Sequence, residues 1–219
     1  MKKNLTELVF ILDCSGSMHG LEKDTIGGFN SMIEKQKKVD GNALITTILF
    51  NHKNKVVHDR ADVRNISPMT EKDYVTGGST ALMDTIGHAV CHVTNIHKYS
   101  RKEDLPDHTM FIITTDGVEN SSHKYDYGMI RQLIELQKEK YGWEFMFLGA
   151  NIDAIDVASH IGIDESRAVN FNCDSEGTEL NYEVLSDAIC VLREHSYVSE
   201  DWKNRIDNDF EKRWKSRNR

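Results

Sequence analysis

The sequence predicts an α/β fold with an open, mostly parallel six-stranded sheet, one antiparallel edge strand, and helices on both faces. Short, continuously apolar segments alternate along the chain with longer segments whose apolar residues recur at helical spacing. Two of the apolar segments are joined by only a short polar turn, which is typical of an antiparallel hairpin. Strands that otherwise alternate with helices indicate a sheet that is covered on both faces.

The strands are predicted from their composition. Segments 8–12 and 109–115 are rich in branched and aromatic residues, and each ends at an aspartate followed by small residues. Runs of this kind are buried on both faces, as in parallel sheets. The six predicted strands are 8–12, 43–50, 55–63, 109–115, 143–150 and 168–171. The strand 55–63 follows a polar turn and is expected to form the antiparallel edge.

The helices are predicted from their periodicity. Ile26, Phe29 and Ile33, for example, form one apolar stripe. The predicted helices are 21–38, 81–97, 127–141, 153–161, 180–195 and a polar terminal helix at 199–215. The architecture is therefore Rossmann-like. Residues 1–196 are expected to form one domain, and residues 197–219 a C-terminal helical extension.

The composition excludes several classes of protein. The chain is 39% hydrophobic and 28% charged, as in ordinary folded domains. Its net charge of -8 argues against nucleic acid as a partner, because phosphate binding needs a basic surface. No stretch approaches the roughly 20 apolar residues of a membrane helix, so no membrane association is expected. The 4 cysteines lie far apart, which indicates free thiols and a cytoplasmic location.

Oxygen-bearing side chains are concentrated where predicted strands end and where a predicted helix begins. Asp13, Ser15 and Ser17 follow the first strand, with a glycine between the serines that allows a tight turn. Asp116 follows the strand 109–115, and Thr80 directly precedes a helix. Side chains just past the carboxyl ends of parallel strands converge on one crevice. These five residues are therefore the candidate ligands of one metal ion.

The residue types indicate which ion would bind. Carboxylate and hydroxyl oxygens, without Cys or His, favour a hard cation and disfavour zinc. Mg²⁺ is the expected ion, with Mn²⁺ or Ca²⁺ as alternatives. Mg²⁺ prefers six oxygens in near-octahedral geometry and gives up water reluctantly, so at least one position should stay open to water.

Three motifs stand in the order and spacing of a known type of metal site: Asp13-x-Ser15-x-Ser17, the turn Gly77-Gly78-Ser79-Thr80, and Asp116-Gly117. The region from about 7 to 171 resembles von Willebrand factor A domains with a metal-ion-dependent adhesion site. Segments 115–122 and 147–154 are most similar to compact, stand-alone bacterial or phage members. The resemblance implies that the serines bind the metal directly, the threonine directly or through water, and the aspartates largely through water. Ser79 is the alternative to Thr80, but the spacing to the helix favours Thr80.

The expected function is that of a divalent-cation-dependent protein-binding module. Two carboxylates leave a divalent cation electrophilic, so a Glu or Asp of a partner protein can complete its coordination. The resemblance implies the same use, and no enzymatic activity is expected. One alternative is a Mg²⁺-dependent, phosphatase-like hydrolase, although that motif needs a second Asp where this chain has Ser15. The other is a metal-independent interaction scaffold.

Several other side chains near these motifs are interpreted as structural. Glu119 is expected to be an exposed loop carboxylate. Cys14 is expected to be buried and to fill space in the core without a chemical role. His88, His92 and His97 lie near helical spacing, but no Cys or carboxylate with metal-site spacing accompanies them. They are expected to be solvated or satisfied in the core.

Overall fold

The computed structural model describes residues 4–217, so the ends of the predicted domain and extension, residues 1–3, 218 and 219, lie outside the described residues. The strands are β1 (Leu5–Asp13), β2 (Asn42–Phe50), β3 (Asn54–Asp62), β4 (His108–Thr115), β5 (Glu144–Gly149) and β6 (Ala168–Asn170). The helices are α1 (Glu22–Gln36), α2 (Leu82–Tyr99), α3 (Tyr127–Tyr141), α4 (Ala154–His160), α5 (Ser175–His195) and α6 (Asn204–Arg217). Within residues 4–217, no helix has the length and apolarity needed to cross a bilayer.

The six strands form one sheet in the order β3-β2-β1-β4-β5-β6. All neighbouring pairs are parallel except β2 and β3, which are antiparallel at one edge. The predicted fold class is therefore confirmed. The chain leaves β1 towards β2 and β3, and then returns to the other side of β1 as β4. This reversal of strand order opens a crevice at the carboxyl ends of β1 and β4.

The central strand β1 is buried on both faces because its alternate residues serve two cores. Leu8, Phe10 and Leu12 pack on one face with buried residues of α1 and α5. Val9 and Ile11 pack on the other face with buried residues of α2, α3 and α4. Because β1 contributes side chains to two cores, it has no solvent-facing side, and this explains why residues 8–12 are continuously apolar.

Helix α5 begins at Ser175 rather than at the predicted 180, and α6 begins at Asn204 rather than at 199. The Asp174 side chain caps the helix by accepting the Gly177 N–H at 2.9 Å. Gly177 also approaches the backbone of Asn172, where an added Cβ would stand 2.0 Å from the carbonyl oxygen. The first turn of α5 contains residues that cap the helix and allow close packing. It therefore lacks the apolar periodicity from which a helix is predicted.

The segment after α5 returns to the domain. A short 3-10 turn, Glu200–Lys203, precedes α6. Trp202 and Ile206 are buried in the same core as α1 and α5. The indole Nε1 of Trp202 donates to the Ser166 carbonyl at 2.9 Å. The C-terminal segment therefore packs on the sheet through Trp202 of the turn and Ile206 of α6.

Candidate metal site

Asp13 is the last residue of β1, and two hydrogen bonds fix its carboxylate. Oδ1 accepts the backbone N–H of Ser15 at 2.7 Å, and Oδ2 accepts the hydroxyl of Thr115 at 2.6 Å. Thr115 ends β4, so this bond joins the ends of the two strands between which the crevice opens. Burial raises the pKa of the Asp13 carboxyl, and the bonds from Thr115 and Ser15 oppose that rise.

The hydroxyl of Ser17 contacts the side-chain oxygens of both Ser15 and Asp116. The two serine Oγ atoms lie 3.1 Å apart, and Ser17 Oγ donates to Asp116 Oδ1 at 2.5 Å. A single 3-10 turn, Gly16–Met18, brings the serines together while Met18 enters the core. Ser15 and Asp116 are buried, and Ser17, which contacts both, is exposed, so the three oxygens reach the surface at Ser17.

Thr80 comes from a third loop and faces the same space. Its N–H donates to Asn120 Oδ1 at 2.9 Å, and its carbonyl accepts the N–H groups of Asn120 and Ser121 at 3.0 and 3.1 Å. A Cβ added at Gly117 would stand 3.5 Å from Ser17 Oγ and 3.6 Å from Thr80 Oγ1. The two hydroxyls therefore flank one small space that a larger residue at 117 would fill.

The glycine turn before Thr80 is joined to the loop after β1 by backbone hydrogen bonds. Gly16 N–H donates to the Gly78 carbonyl at 3.0 Å, and Gly77 N–H donates to the Cys14 carbonyl at 2.9 Å. Gly78 has a φ of 77° and lies so close to His52 that an added Cβ would stand 2.3 Å from its ring. Only glycine fits there. The turn thereby brings the third loop to the first.

The neighbours of the candidate ligands have other contacts. Ser79 Oγ accepts a hydrogen bond from Ser121 Oγ at 2.5 Å. Cys14 packs in the core on the α1 and α5 face, as predicted. Burial, with the nearby charge of Asp13, raises the pKa of its thiol to about 11. The Ser79 hydroxyl therefore bonds to Ser121, whereas the Thr80 hydroxyl lies beside Gly117.

The donor set suits a hard divalent cation. In an octahedral shell with ligands at about 2.0–2.1 Å, neighbouring oxygens lie about 2.9 Å apart. The separations of 3.1 Å between the serine hydroxyls and 2.5 Å between Ser17 and Asp116 bracket that value. In the described part of the chain, no three His, Cys, Asp or Glu side chains cluster in a way that would hold a metal. The five candidate residues contain two acids and three hydroxyls.

Cys173 is a neighbour of the site that the sequence analysis missed. Its Sγ lies 3.6 Å from Asp116 Oδ2, to which it donates. Burial, followed by the charge of Asp116, raises the pKa of the Cys173 thiol to about 12. The group is therefore a neutral S–H donor. It lies between β6 and α5, outside all three motifs, so only the strand order places it beside Asp116.

The expectation that Glu119 is an exposed loop carboxylate is wrong. Its Oε2 accepts the backbone N–H of Met83 at 2.9 Å, in the first turn of α2. Its Oε1 accepts the N–H groups of Ser121 and Ser122 at 2.8 and 2.7 Å. Glu119 therefore organises its own loop and caps a helix from another segment, where the helix dipole favours a carboxylate.

Asp84, in the first turn of α2, accepts hydrogen bonds from the same loop. The contacts of Glu119 and Asp84 together form a clamp between this loop and α2. Asp84 Oδ1 accepts the N–H groups of Lys124 and Tyr125 at 2.8 and 2.9 Å, and its Oδ2 accepts that of His123 at 3.0 Å. Partial burial works against the charged carboxylate, but these backbone donors outweigh it and lower the pKa of Asp84. The clamp fixes the loop after β4 against the start of α2, the two segments that carry Asp116 and Thr80.

The three histidines of α2 each contact a different residue. The contacts are His88 Nδ1 to Asn54 Nδ2 at 3.2 Å, His92 Nε2 to Asp59 Oδ1 at 2.9 Å, and His97 Nε2 to Glu7 Oε2 at 2.5 Å. All three partners belong to strands of the sheet. These side chains therefore attach α2 to the sheet.

No protein-family model matches the sequence, and none of the curated proteins is similar to it in sequence. Many solved structures share its fold, and three of them represent the range of similarity. Proximal thread matrix protein 1 from the mussel byssus has a TM-score of 0.57 at 15% identity, covering 85% of this chain and 46% of that chain. A von Willebrand factor type A protein from Catenulispora acidiphila has 0.53 at 15%, covering 84% and 42%. The manganese-loaded TRAP protein of Plasmodium vivax has 0.50 at 18%, covering 67% and 57%.

These likenesses show the fold. This chain spans less than half the length of the first two proteins and a little over half of the third. A further structure of the mussel protein has a zinc-occupied metal-ion-dependent adhesion site. Similar domains of this fold are thus known with zinc and with manganese.

Proposed function

We propose that this chain, which has the fold of von Willebrand factor A domains, is a divalent-cation-dependent protein-binding module. Its metal ligands would be five side chains from three loops: Asp13, Ser15, Ser17, Thr80 and Asp116. The observation that carries the proposal is the convergence of the Ser15, Ser17 and Asp116 oxygens at the crevice between β1 and β4, through the 3.1 Å and 2.5 Å contacts of Ser17. Mg²⁺ is the expected ion, with Mn²⁺ or Ca²⁺ as alternatives.

The charge of the site favours an acidic partner. When bound, a divalent cation would supply an electrophilic centre whose charge the two carboxylates only balance, since hydroxyl ligands carry none. A Glu or Asp side chain of a partner protein would then complete the coordination with a charge-assisted contact. Access supports this use, because Ser17 is exposed and Val118, close to Asp116 in the same loop, is 65% exposed.

The chemistry of the nearby groups argues for a binding role over a hydrolytic one. A phosphatase-like reaction would need an acid at position 15, where the Ser15 hydroxyl instead contacts Ser17. The thiols nearest the site belong to Cys14 and Cys173, and their pKa values are raised to about 11 and about 12. Neither thiol would supply a thiolate nucleophile at neutral pH.

A cytoplasmic location is part of the proposal. All four cysteines are free: Cys14, Cys91, Cys173 and Cys190. Free thiols are typical of proteins in a reducing compartment. The net charge of -8 further favours a protein ligand over nucleic acid, whose phosphates require a basic surface.

The direct test is affinity capture from the native organism, first with Mg²⁺ and then with excess chelator. The expected result is a partner that is retained with Mg²⁺, released by the chelator, and lost from Asp13→Ala. Ser79→Ala is the matched control, because its hydroxyl bonds to Ser121 and it should retain the partner. A partner held equally well in chelator would contradict the proposal and favour the metal-independent scaffold.

A further inference from the structure

Helix α6 contacts the loop that joins β6 to α5, residues 171–174. Asn172 Nδ2 donates to Asp209 Oδ2 of α6 at 3.0 Å. Nη1 of Arg213, also in α6, donates to both carboxylate oxygens of Asp174 at 2.8 Å, and its Nε donates to Asp209 Oδ1 at 2.9 Å. Asn172 and Asp174 are the neighbours of Cys173, so α6 holds the loop on both sides of this cysteine.

The contacts of Arg213 are largely covered from water. The Arg213 and Asp209 side chains are 21% and 23% exposed, and Asn172 is buried. Arg213 also lies 3.1 Å from Glu176, but that side chain is 83% exposed. Exposed ion pairs contribute little to stability, whereas charge-assisted hydrogen bonds with several acceptors fix the geometry of a contact. We therefore expect Arg213 to keep α6 and the loop in one fixed arrangement.

Cys173 connects this loop to the candidate metal site. Its thiol donates to Asp116 Oδ2 at 3.6 Å, while Asp116 Oδ1 accepts the Ser17 hydroxyl at 2.5 Å. The loop after β1 thus orients one oxygen of this carboxylate, and loop 171–174 orients the other. A ligand carboxylate that loses a donor of this kind generally binds its metal more weakly. Loop 171–174 contains none of the five candidate ligands, so its influence on the ion would be indirect.

We propose that Arg213 is a positioning residue for the metal site, and that α6 regulates the affinity of that site for its cation. Arg213 holds loop 171–174, the loop holds the Cys173 thiol against Asp116, and Asp116 is thereby oriented for the ion. A change that separates α6 from the loop would lower the cation affinity without removing a ligand. This inference rests on the proposed metal site.

Calorimetric titration of Mg²⁺ into the full chain tests the role of Arg213. Arg213→Gln should weaken Mg²⁺ binding about fivefold, because the loop is loosened while the thiol remains. Arg205→Gln is the matched control. It removes the same charge from the same helix, but Arg205 pairs with Glu183 and Asp187 of α5, so this variant should bind Mg²⁺ as the wild type does. Equal affinity in the wild type and Arg213→Gln, or equal weakening in both variants, would overturn the proposal.

A double variant tests whether the effect passes through Cys173. Cys173→Ala/Arg213→Gln should bind Mg²⁺ no more weakly than Cys173→Ala alone, because no thiol is left for the second substitution to displace. Losses of affinity that multiply in the double variant would contradict the route through Cys173.

A measurement without the cation separates this inference from the proposed function. In excess chelator, the chain is alkylated with iodoacetamide, and the labelling of each cysteine is followed by mass spectrometry. Arg213→Gln should raise the labelling rate of Cys173 about fivefold, because the loop opens more often. Cys190 of α5, whose Sγ contacts Gln36, reports general unfolding, and its rate should not change.

An unchanged rate at Cys173, or an equal rise at both cysteines, would overturn the inference even in a chain that binds Mg²⁺. A wild type that binds no Mg²⁺, although Cys173 responds as expected, would contradict the proposed metal site while supporting the contact between α6 and the loop.

Discussion

Ser17 Oγ donates to Asp116 Oδ1 at 2.5 Å, and so joins two loops that are 99 residues apart in the chain. The bond exists because β1 and β4 are neighbours in the sheet although β2 and β3 lie between them in sequence. The site is thus a product of the strand order. Groups that hold these loops in place should therefore influence the site without being ligands.

Thr115→Val should destabilise the protein by about 2 kcal/mol, because the hydrogen bond to a charged group at Asp13 is lost. Valine has nearly the same shape as threonine, so packing is retained in this buried position. Urea denaturation at pH 7 measures the change. Thr115→Ser keeps the hydroxyl, and it should lose less stability than the valine variant. A valine variant as stable as the wild type would contradict a stabilising role for this hydrogen bond.

Asp84→Asn should lower the free energy of unfolding by about 1 kcal/mol at pH 7, because an amide offers one acceptor oxygen to three backbone donors. The folded pKa of Asp84 lies below the unfolded value of 3.8. Its stabilising contribution is therefore complete above that value and is lost as the pH falls through the folded pKa.

The difference between wild type and Asp84→Asn should accordingly shrink as denaturation is repeated from pH 7 down to about pH 3. Asp40→Asn, at an exposed position, serves as control and should show little difference at any pH. A wild-type advantage that grows on acidification would contradict the clamp.

Two adjacent glycines of α1 should respond in opposite ways to alanine. Gly28→Ala should destabilise by about 1–3 kcal/mol, since its Cβ would stand 2.3 Å from the Tyr182 ring of α5. Gly27→Ala meets nothing within 4 Å and should stabilise the helix by about 0.5–1 kcal/mol. Thermal denaturation of both variants measures the pair. A rise in Tm for Gly28→Ala would show that the two helices are less closely packed.

Cys173→Ala should weaken cation binding about tenfold, because Asp116 loses a hydrogen-bond donor that orients it. Cys173→Ser restores a donor and should bind the cation nearly as well as the wild type. Calorimetric titration with Mg²⁺ measures both variants. If serine and alanine behave alike, Cys173 only fills space. This prediction depends on the proposed metal site.

Much of the fold could be predicted because its determinants are local. Strands such as β1 and β4 feed two cores, and they therefore appear in the sequence as unbroken apolar runs. The loop Asp13 to Ser17 could be predicted because its residues are adjacent and a glycine marks the turn. Asp116 could be associated with it because strand ends in such a sheet share one edge. Thr80, which precedes a helix, could be associated with it through the resemblance to von Willebrand factor A domains.

The remaining features depend on contacts between distant segments. Glu119 lies in a loop, and its role depends on a contact with α2, which is distant in sequence. Cys173 lies beside Asp116 because of the order of the strands. Glu7 is a buried carboxylate in an apolar strand. Its partners are Arg60, at a left-handed position beside an irregular part of the β2–β3 pairing, and His97, 90 residues away. No local pattern signals such pairs.

The most direct measurement of the central claim is a calorimetric titration of Mg²⁺ into the wild type and into a Ser15→Ala/Ser17→Ala variant. Ser79→Ala is the control. We predict one cation bound per wild-type chain, no detectable binding to the double variant, and wild-type affinity in the control. Binding that persists in the double variant would contradict the proposed site.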